Sequence, residues 1–322
     1  MSNRALQRET LLIIPTHSHP ETLPMVIESA QSQTEEDVGI VVIGDGVTDD
    51  TRDAIAPIVA SDDRVAFIDK PKSVRRGEEY RDEVIRASTA TRISYVCDDD
   101  LLFPHHIETL ANLLRGVDFV NTLPIFINTD DSLTHMVSDL ANPESVDWHL
   151  NPEVRRNTVS LTGVMHSRDS YYALPFGWRP APIGRWTDHY MWEQFFSMPN
   201  FAGRTSRIAT TAKFSQTDRD AMTGAERQAE LAEFARKMAT PGFVDLWNER
   251  VRTCERETLV RLALDNSVLA ERRAELEHVV DNLMHKLADA RSESAELQNS
   301  LNGIVASRSW RITAPLRKFR ER

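Results

Sequence analysis

The segment "RISYVCDDDLLFPHHIETLANLLRG", Arg92 to Gly116, decides the fold. Its first residues form an apolar strand-like run, and its last carry a helical apolar period that opens at Pro104. Between them stand Asp98, Asp99 and Asp100, three carboxylates close enough to raise one another's pKa. Taken alone, the cluster has two readings. It caps the next helix, whose N-terminus favours negative charge, or it holds a hard divalent cation through oxygen ligands.

The same strand–turn–helix unit occurs three times upstream. "TLLII" precedes "PETLPMVIESAQSQ", "VGIVVIGDG" precedes "TDDTRDAIAPIVA", and "RVAFID" precedes "GEEYRDEVIRAST". Short apolar strands alternating with amphipathic helices predict a mostly parallel sheet covered on both faces. Ligands of such sheets bind beyond the carboxyl ends of the strands. The polar turns "PTHSHP", "GDGVTDD" and "CDDD" all fall there. Downstream, "FVNTLPIFINTDDSLTHMV" predicts strands joined by a turn at Asp130–Ser132, and "TVSLTGVMHS" a further strand. The aromatic-rich "YYALPFGWRPAPIGRWTDHYMWEQFF" ends in a helix with Thr187 as its N-cap.

The chain of 322 residues is 41% hydrophobic and 27% charged, the composition of an ordinary globular protein. A net charge of −11 argues against a general nucleic-acid binder. Cys97 and Cys254 are the only cysteines, too few for a disulfide framework or a cysteine-rich zinc site. The apolar run near the N-terminus is far too short for a signal-peptide core or a membrane span. The expected location is the cytoplasm.

Asp45, between two glycines, suits either a plain turn or a hydrogen bond to a nucleotide base or ribose. Arg75 and Arg76, before the third helix, suit either a solvated basic pair or a diphosphate. Neither "GxxxxGK[ST]" nor "GxGxxG" occurs, which excludes a P-loop and a dinucleotide fingerprint.

In order, "LLIIPTHSHPETLPMVIESAQSQT", "IVVIGDGVTDDT", "YRDEVIRAS" and "YVCDDDLLFP" resemble the nucleotide-sugar half of the inverting family 2 glycosyltransferases of the GT-A fold. The resemblance covers residues 10–115 strongly and continues less specifically to about 215. It implies a Rossmann-like mixed sheet with helices on both faces, a nucleoside diphosphate sugar donor carrying UDP, and Mn²⁺ or Mg²⁺. It places Pro15, Thr16 and His17 on the base, Asp45 on base or ribose, and Arg76 by the phosphates. Asp98 and Asp100 become the metal ligands, with Asp99 by the ribose or donor sugar. "RWTDHYMWEQF" resembles the family's acidic segment at a helix head, which makes Asp188 the catalytic base. His17, Gly44 and Thr187 depart from the usual tyrosine, aspartate and glutamate, and "YRDE" stands where "ARN" is common, keeping Arg81. His166 and His189 are candidates for a further metal ligand or for ordinary core positions. Trp178, Trp186 and Trp192 are candidates for sugar stacking or for packing.

The expected organisation is a glycosyltransferase domain over 1–215, split into a nucleotide-sugar half (1–115) and an acceptor half (116–215). A helical region follows over 216–305. There Leu262, Leu269, Leu276, Leu283, Ala290, Leu297 and Ile304 recur every seven residues, which predicts a coiled coil and a homo-oligomer through 257–304. The basic tail 306–322 sets Arg308, Arg311, Arg317, Lys318, Arg320 and Arg322 against Glu321, with Trp310, Ile312, Leu316 and Phe319 interleaved. That pattern suits an anionic membrane surface, where each cation contributes ~1 kcal/mol. It also resembles the C-terminus of bacterial surface-polysaccharide glycosyltransferases, whose acceptors are glycans or lipid-linked. Two rivals remain at this point: a non-catalytic scaffold that binds glycans or nucleotide sugars, and a nucleotidyltransferase. The second would carry a glycine-rich basic loop that "PTHSHPET" lacks.

Overall fold

Apolar runs that alternate with helices pair side by side, because only that arrangement satisfies their backbone while burying both faces. The computed structural model describes residues 4–153, 157–214 and 217–313. Its first half runs β1 (Thr10–Thr16), α1 (Leu23–Gln31), β2 (Val38–Asp45), α2 (Asp49–Ser61), β3 (Val65–Lys70), α3 (Glu78–Ala87) and β4 (Arg92–Tyr95), then β5 (Leu101–Leu102) and α4 (His106–Leu113). The next part holds β6 (Phe119–Asn121), β7 (Ile125–Ile127), β8 (Leu133–His135), α5 (Pro143–Leu150), β9 (Val164–Ser167), α6 (Arg168–Tyr172), α7 (Thr187–Phe196), β10 (Gly203–Thr205) and β11 (Thr211–Phe214). Helices α8 (Gly224–Met238), α9 (Phe243–Ala306) and α10 (Arg308–Ile312) follow.

Seven strands form the main sheet in the order β10-β6-β9-β4-β1-β2-β3. All pairs are parallel except those of β9, which runs antiparallel to both β4 and β6. The sheet is therefore mixed. Successive residues of the central strands point to opposite faces. Leu12, Ile14, Ile40 and Val42 join one core, and Leu11, Ile13, Val41 and Ile43 the other. Each is at most 1% exposed, and burial of each contributes ~1.5–3 kcal/mol relative to exposure.

The pairing of β1 with β4 ends at Ile13–Tyr95, whereas its pairing with β2 continues to Thr16–Gly44. Pro15, which has no N–H to donate, sits on the stretch that has only one neighbour. Beyond Tyr95 the chain leaves the sheet and carries the aspartates into a second sheet, ordered β5-β11-β7-β8. In it β11 pairs antiparallel with β5 and parallel with β7. This small sheet brings residues near 213 beside residues near 100.

The compact unit extends past 215, the expected end of the domain, to Arg256. The reason is apolar burial: Leu231, Phe234, Trp247 and Val251, on α8 and the start of α9, join the core on one face of the sheet. Phe103 stacks on Trp247 at 5.6 Å, Phe234 meets Trp247 edge-on at 5.6 Å, and the Trp247 indole donates to the Ala209 carbonyl at 3.1 Å. At α7, Trp186 rather than Thr187 occupies the N-cap, without a side-chain cap bond, and Thr187 is the first helical residue.

The second unit, Glu257–Arg322, begins within α9 and is helical to Ala306. Leu269, Leu276, Leu283 and Leu297 are 59–65% exposed there. Helix α10 holds Arg308, Trp310 and Arg311. Residues 314–322, with Leu316, Arg317, Lys318, Phe319, Arg320 and Arg322, lie outside the described residues. Among the described residues no helix is long and apolar enough to cross a membrane.

Candidate active site

The carboxyl ends of β1, β2 and β4 open into a cleft of about 1100 Å³. It is lined by Pro15, Thr16 and His17 after β1, Asp45 at the end of β2, Arg76 and Arg81 around the start of α3, Asp98 and Asp99 after β4, and Asp188 on the first turn of α7. Of the residues that the resemblance assigned to donor, metal and base, Asp100 alone is absent from this lining, which also holds His19, Lys72 and Lys213, none of them named from the sequence.

His17 is oriented by the end of the neighbouring strand β2, since its Nδ1–H donates to the Asp45 carbonyl at 2.7 Å. The Asp45 carboxylate accepts from the Ser73 N–H at 2.5 Å, the Ser73 hydroxyl at 2.9 Å, and Lys72. Burial pushes its pKa up, but Lys72 and the two Ser73 donors more than offset this and hold it below the usual aspartate range. Gly77, the residue before α3, has φ +67° and donates its N–H to the Ser73 hydroxyl at 2.7 Å. That left-handed conformation favours glycine and lets the loop close on Asp45.

Arg76 is exposed on the cleft lining, while Arg81 is buried beneath the Trp178 ring, 4.8 Å from its centroid. Arg81 Nε and Nη1 have no hydrogen-bond partner. Burial lowers its pKa, with Glu78 and the more distant Asp188 opposing. A buried guanidinium with idle donors on a cleft wall is a ready anion contact.

Each of the three aspartates has a basic side chain beside it. Asp98 lies 3.0 Å from His19 Nδ1, Asp99 lies 2.9 Å from an Arg227 guanidinium nitrogen, and Asp100 lies 2.8 Å from Lys213 Nζ. Protein charges thus offset the repulsion that the sequence suggested a metal must relieve. The Asp98 carboxylate beside it raises the His19 pKa against the opposing effect of burial. Burial, with the charges of Asp100 and Asp98, raises Asp99 to about 6, even with Arg227 beside it.

Asp100, expected as a metal ligand, does not line the cleft. It is fully buried and also accepts from the Thr162 hydroxyl at 2.5 Å and the Phe214 N–H at 3.0 Å. Burial opposes the charge on Lys213, but Asp100 and its neighbours outweigh it and hold the ammonium above its ordinary pKa. Asp100 therefore pins β11 to the aspartate loop.

The donor set fits a hard divalent cation. Asp98 Oδ2 and Asp99 Oδ1 carry no protein partner among the described residues, and both residues line the cleft. Oxygens of Asp99 and Asp100 and the Cys97 sulfur lie within 4.8 Å of one another. Burial pushes the Cys97 thiol up to about 12, so at neutral pH it is a protonated, soft group and a poor partner for such an ion. His166 and His189 do not line the cleft: His166 Nε2 meets the Tyr95 hydroxyl at 2.8 Å, and His189 Nε2 meets the His149 carbonyl at 3.0 Å.

Asp188 accepts the His189 N–H at 2.9 Å and a hydrogen bond from the Asn157 side chain. Burial nevertheless wins and raises its pKa, although a helix N-terminus ordinarily lowers it. A carboxylate tuned upward is a stronger base. Lys213, Arg227 and Asn157 carried no sequence signal, because each meets its aspartate across 31 residues or more of chain.

The open cleft at the strand ends of a mixed α/β sheet defines a GT-A-type nucleotide-sugar fold. Two solved structures share it: S. aureus TarS 1–349, with TM-score 0.50, 14% identity and 73% of each chain covered, and the same protein with UDP-GlcNAc, with TM-score 0.50, 12% identity and 64% of this chain and 58% of that one covered. The model of glycosyl transferase family 2 matches residues 11–174, just over half of the chain, and the chain belongs to that family. A glycosyltransferase of Nostoc sp. (strain PCC 7120), named as uncharacterized, is 24% identical over 116 residues. The match covers 35% of this chain and 34% of that protein, so the chain spans about a third of the length of this relative.

Proposed function

We propose that the chain transfers a glycosyl group from a nucleoside diphosphate sugar to an acceptor hydroxyl, with inversion. The observation that carries this reading is a single cleft lined both by Asp188, with its raised pKa, and by the paired carboxylates Asp98 and Asp99. Asp188 takes the acceptor's proton as its oxygen attacks the anomeric carbon. The bond from that carbon to the diphosphate breaks on the other face. Pro15, Thr16 and His17 hold the base, Asp45 holds base or ribose, and Arg76 and Arg81 meet the phosphates. Asp98 and Asp99 would hold Mn²⁺ or Mg²⁺, which when bound supplies positive charge beside the diphosphate. Uridine is the favoured nucleotide, supported by the UDP-GlcNAc complex of TarS.

A panel of nucleoside diphosphate sugars, with and without Mn²⁺ or Mg²⁺, tests the reading through release of the nucleoside diphosphate. One donor should turn over in a metal-dependent way, and the metal dependence should be lost in Asp98→Asn/Asp99→Asn. Turnover of none of them would overturn it.

The acceptor is a glycan or a lipid-linked glycan, presented at the inner face of a membrane that the tail 306–322 touches. Loss of binding to anionic vesicles by a chain stopped at Ala306 is the expected result; equal binding would remove this part. The exposed leucines of 257–304 form the seam of a homo-oligomer.

A further inference from the structure

Of the tryptophans, one presents an open face to the cleft. Trp178 and Trp192 are 3% and 0% exposed, and their indole N–H groups donate to the Tyr95 hydroxyl at 2.9 Å and the Val159 carbonyl at 3.0 Å. Both are core. Trp186 lines the cleft, yet it is 60% exposed, and neither its ring nor its indole N–H has a partner among the described residues.

Its backbone is held firmly all the same. The Trp186 carbonyl accepts the Tyr190 N–H at 2.9 Å as α7 begins. The preceding Arg185 pairs with Glu193, and its carbonyl accepts from Arg75 at 3.4 Å. A rigid mount carrying an open indole face is the arrangement of a binding platform, because a tryptophan serving only the fold would bury its ring and pair its N–H. Asp188 follows two residues later on the same helix head. Asn157, Ser160, Asn128 and Thr134 supply amide and hydroxyl groups on the same lining.

We propose that Trp186 is the platform on which the acceptor's pyranose ring lies. The axial C–H face of a pyranose carries partial positive charge and meets the electron-rich indole face. The ring's hydroxyls then point sideways to the amide and hydroxyl groups, and one of them reaches Asp188. The inference rests on the transferase reading and narrows it: the reacting unit of the acceptor is a sugar, and Trp186 is a specificity determinant.

The test is saturation-transfer NMR on the full chain with methyl glycosides of glucose, galactose, N-acetylglucosamine and rhamnose, in the presence of UDP. At least one should bind through its ring C–H protons. Its Kd should rise about tenfold or more in Trp186→Ala and stay within about threefold of wild type in Trp186→Phe, which keeps a flat ring. UDP affinity in Trp186→Ala reports a folded site. Equal glycoside binding in Trp186→Ala, or no glycoside binding to wild type, would overturn the proposal. The ratio of UDP-sugar to UDP affinity separates the two possible sources of the ring. A ratio that collapses in Trp186→Ala would assign the platform to the donor sugar and overturn the acceptor assignment. Glycoside binding without any donor turnover by wild type would count against the transferase reading and leave the platform standing.

Discussion

The wall of the cleft built from the ends of β1, β2 and β4 differs from the wall built around α7. On the first, Asp45, Asp98 and Asp99 each have a basic side chain beside them: Lys72, His19 and Arg227. Asp100, behind it, has Lys213. On the second, Asp188 is held by an N–H and an amide, and Trp186 has an open ring. The first wall is organised before any ligand arrives. The second keeps its interactions for the ligand. Damage to the first should therefore appear in stability and donor affinity, and damage to the second in rate and acceptor use.

The sharpest way to separate the walls is Asp188→Asn. Transfer should fall by about 10²–10⁴-fold, the usual worth of a positioned base, while UDP affinity and Tm hold. Asp188 must be ionised to act, and burial raises its pKa above the ordinary ~3.9. The kcat/KM profile should thus rise with pH through that raised value, and the residual rate of the variant should lack this limb. A limb that persists in the variant would break the assignment.

Lys213→Met attacks the first wall. It leaves the fully buried Asp100 without its cation, a change that costs about 3–5 kcal/mol and lowers Tm by roughly 10 °C. Adding Asp100→Asn should recover part of that loss. An unchanged Tm in Lys213→Met would show that the pair does not anchor the loop. The smallest effect belongs to a change outside both walls. Leu276→Glu/Leu283→Glu should reduce the oligomer seen by sedimentation equilibrium and shift the melting of the compact unit by less than about 1 kcal/mol, since both leucines are exposed.

Much of the fold could be read in the chain because its signals are local. β1 to β4 and their helices are each an apolar run beside an amphipathic one, and the hairpin turn near Asp130 lies between β7 and β8 as expected. The lining at Pro15, Asp45 and Asp98 was legible for the same reason: strand ends in such a sheet converge. Asp188, on a helix head, was named only through the family resemblance of its segment. What escaped is long-range. The resemblance cast Asp98 and Asp100 as the metal pair, and only the pairing of β11 with β5 turns Asp100 inward and leaves Asp98 and Asp99 on the cleft. The unit's end at Arg256 was hidden because the helix that packs Trp247 and Val251 continues without a break into the exposed leucine repeat.

Arg227 reaches Asp99 across 128 residues, and Lys213 reaches Asp100 across 113. Contacts this far apart close late, because the intervening chain must be ordered first. During synthesis the strands before residue 100 can emerge and pair while Asp99 and Asp100 still lack their partners. The aspartate loop has its full set of basic partners only after α8, which carries Arg227, has left the ribosome. A chain interrupted before that helix would carry every donor-side motif of the family and still lack a finished donor site.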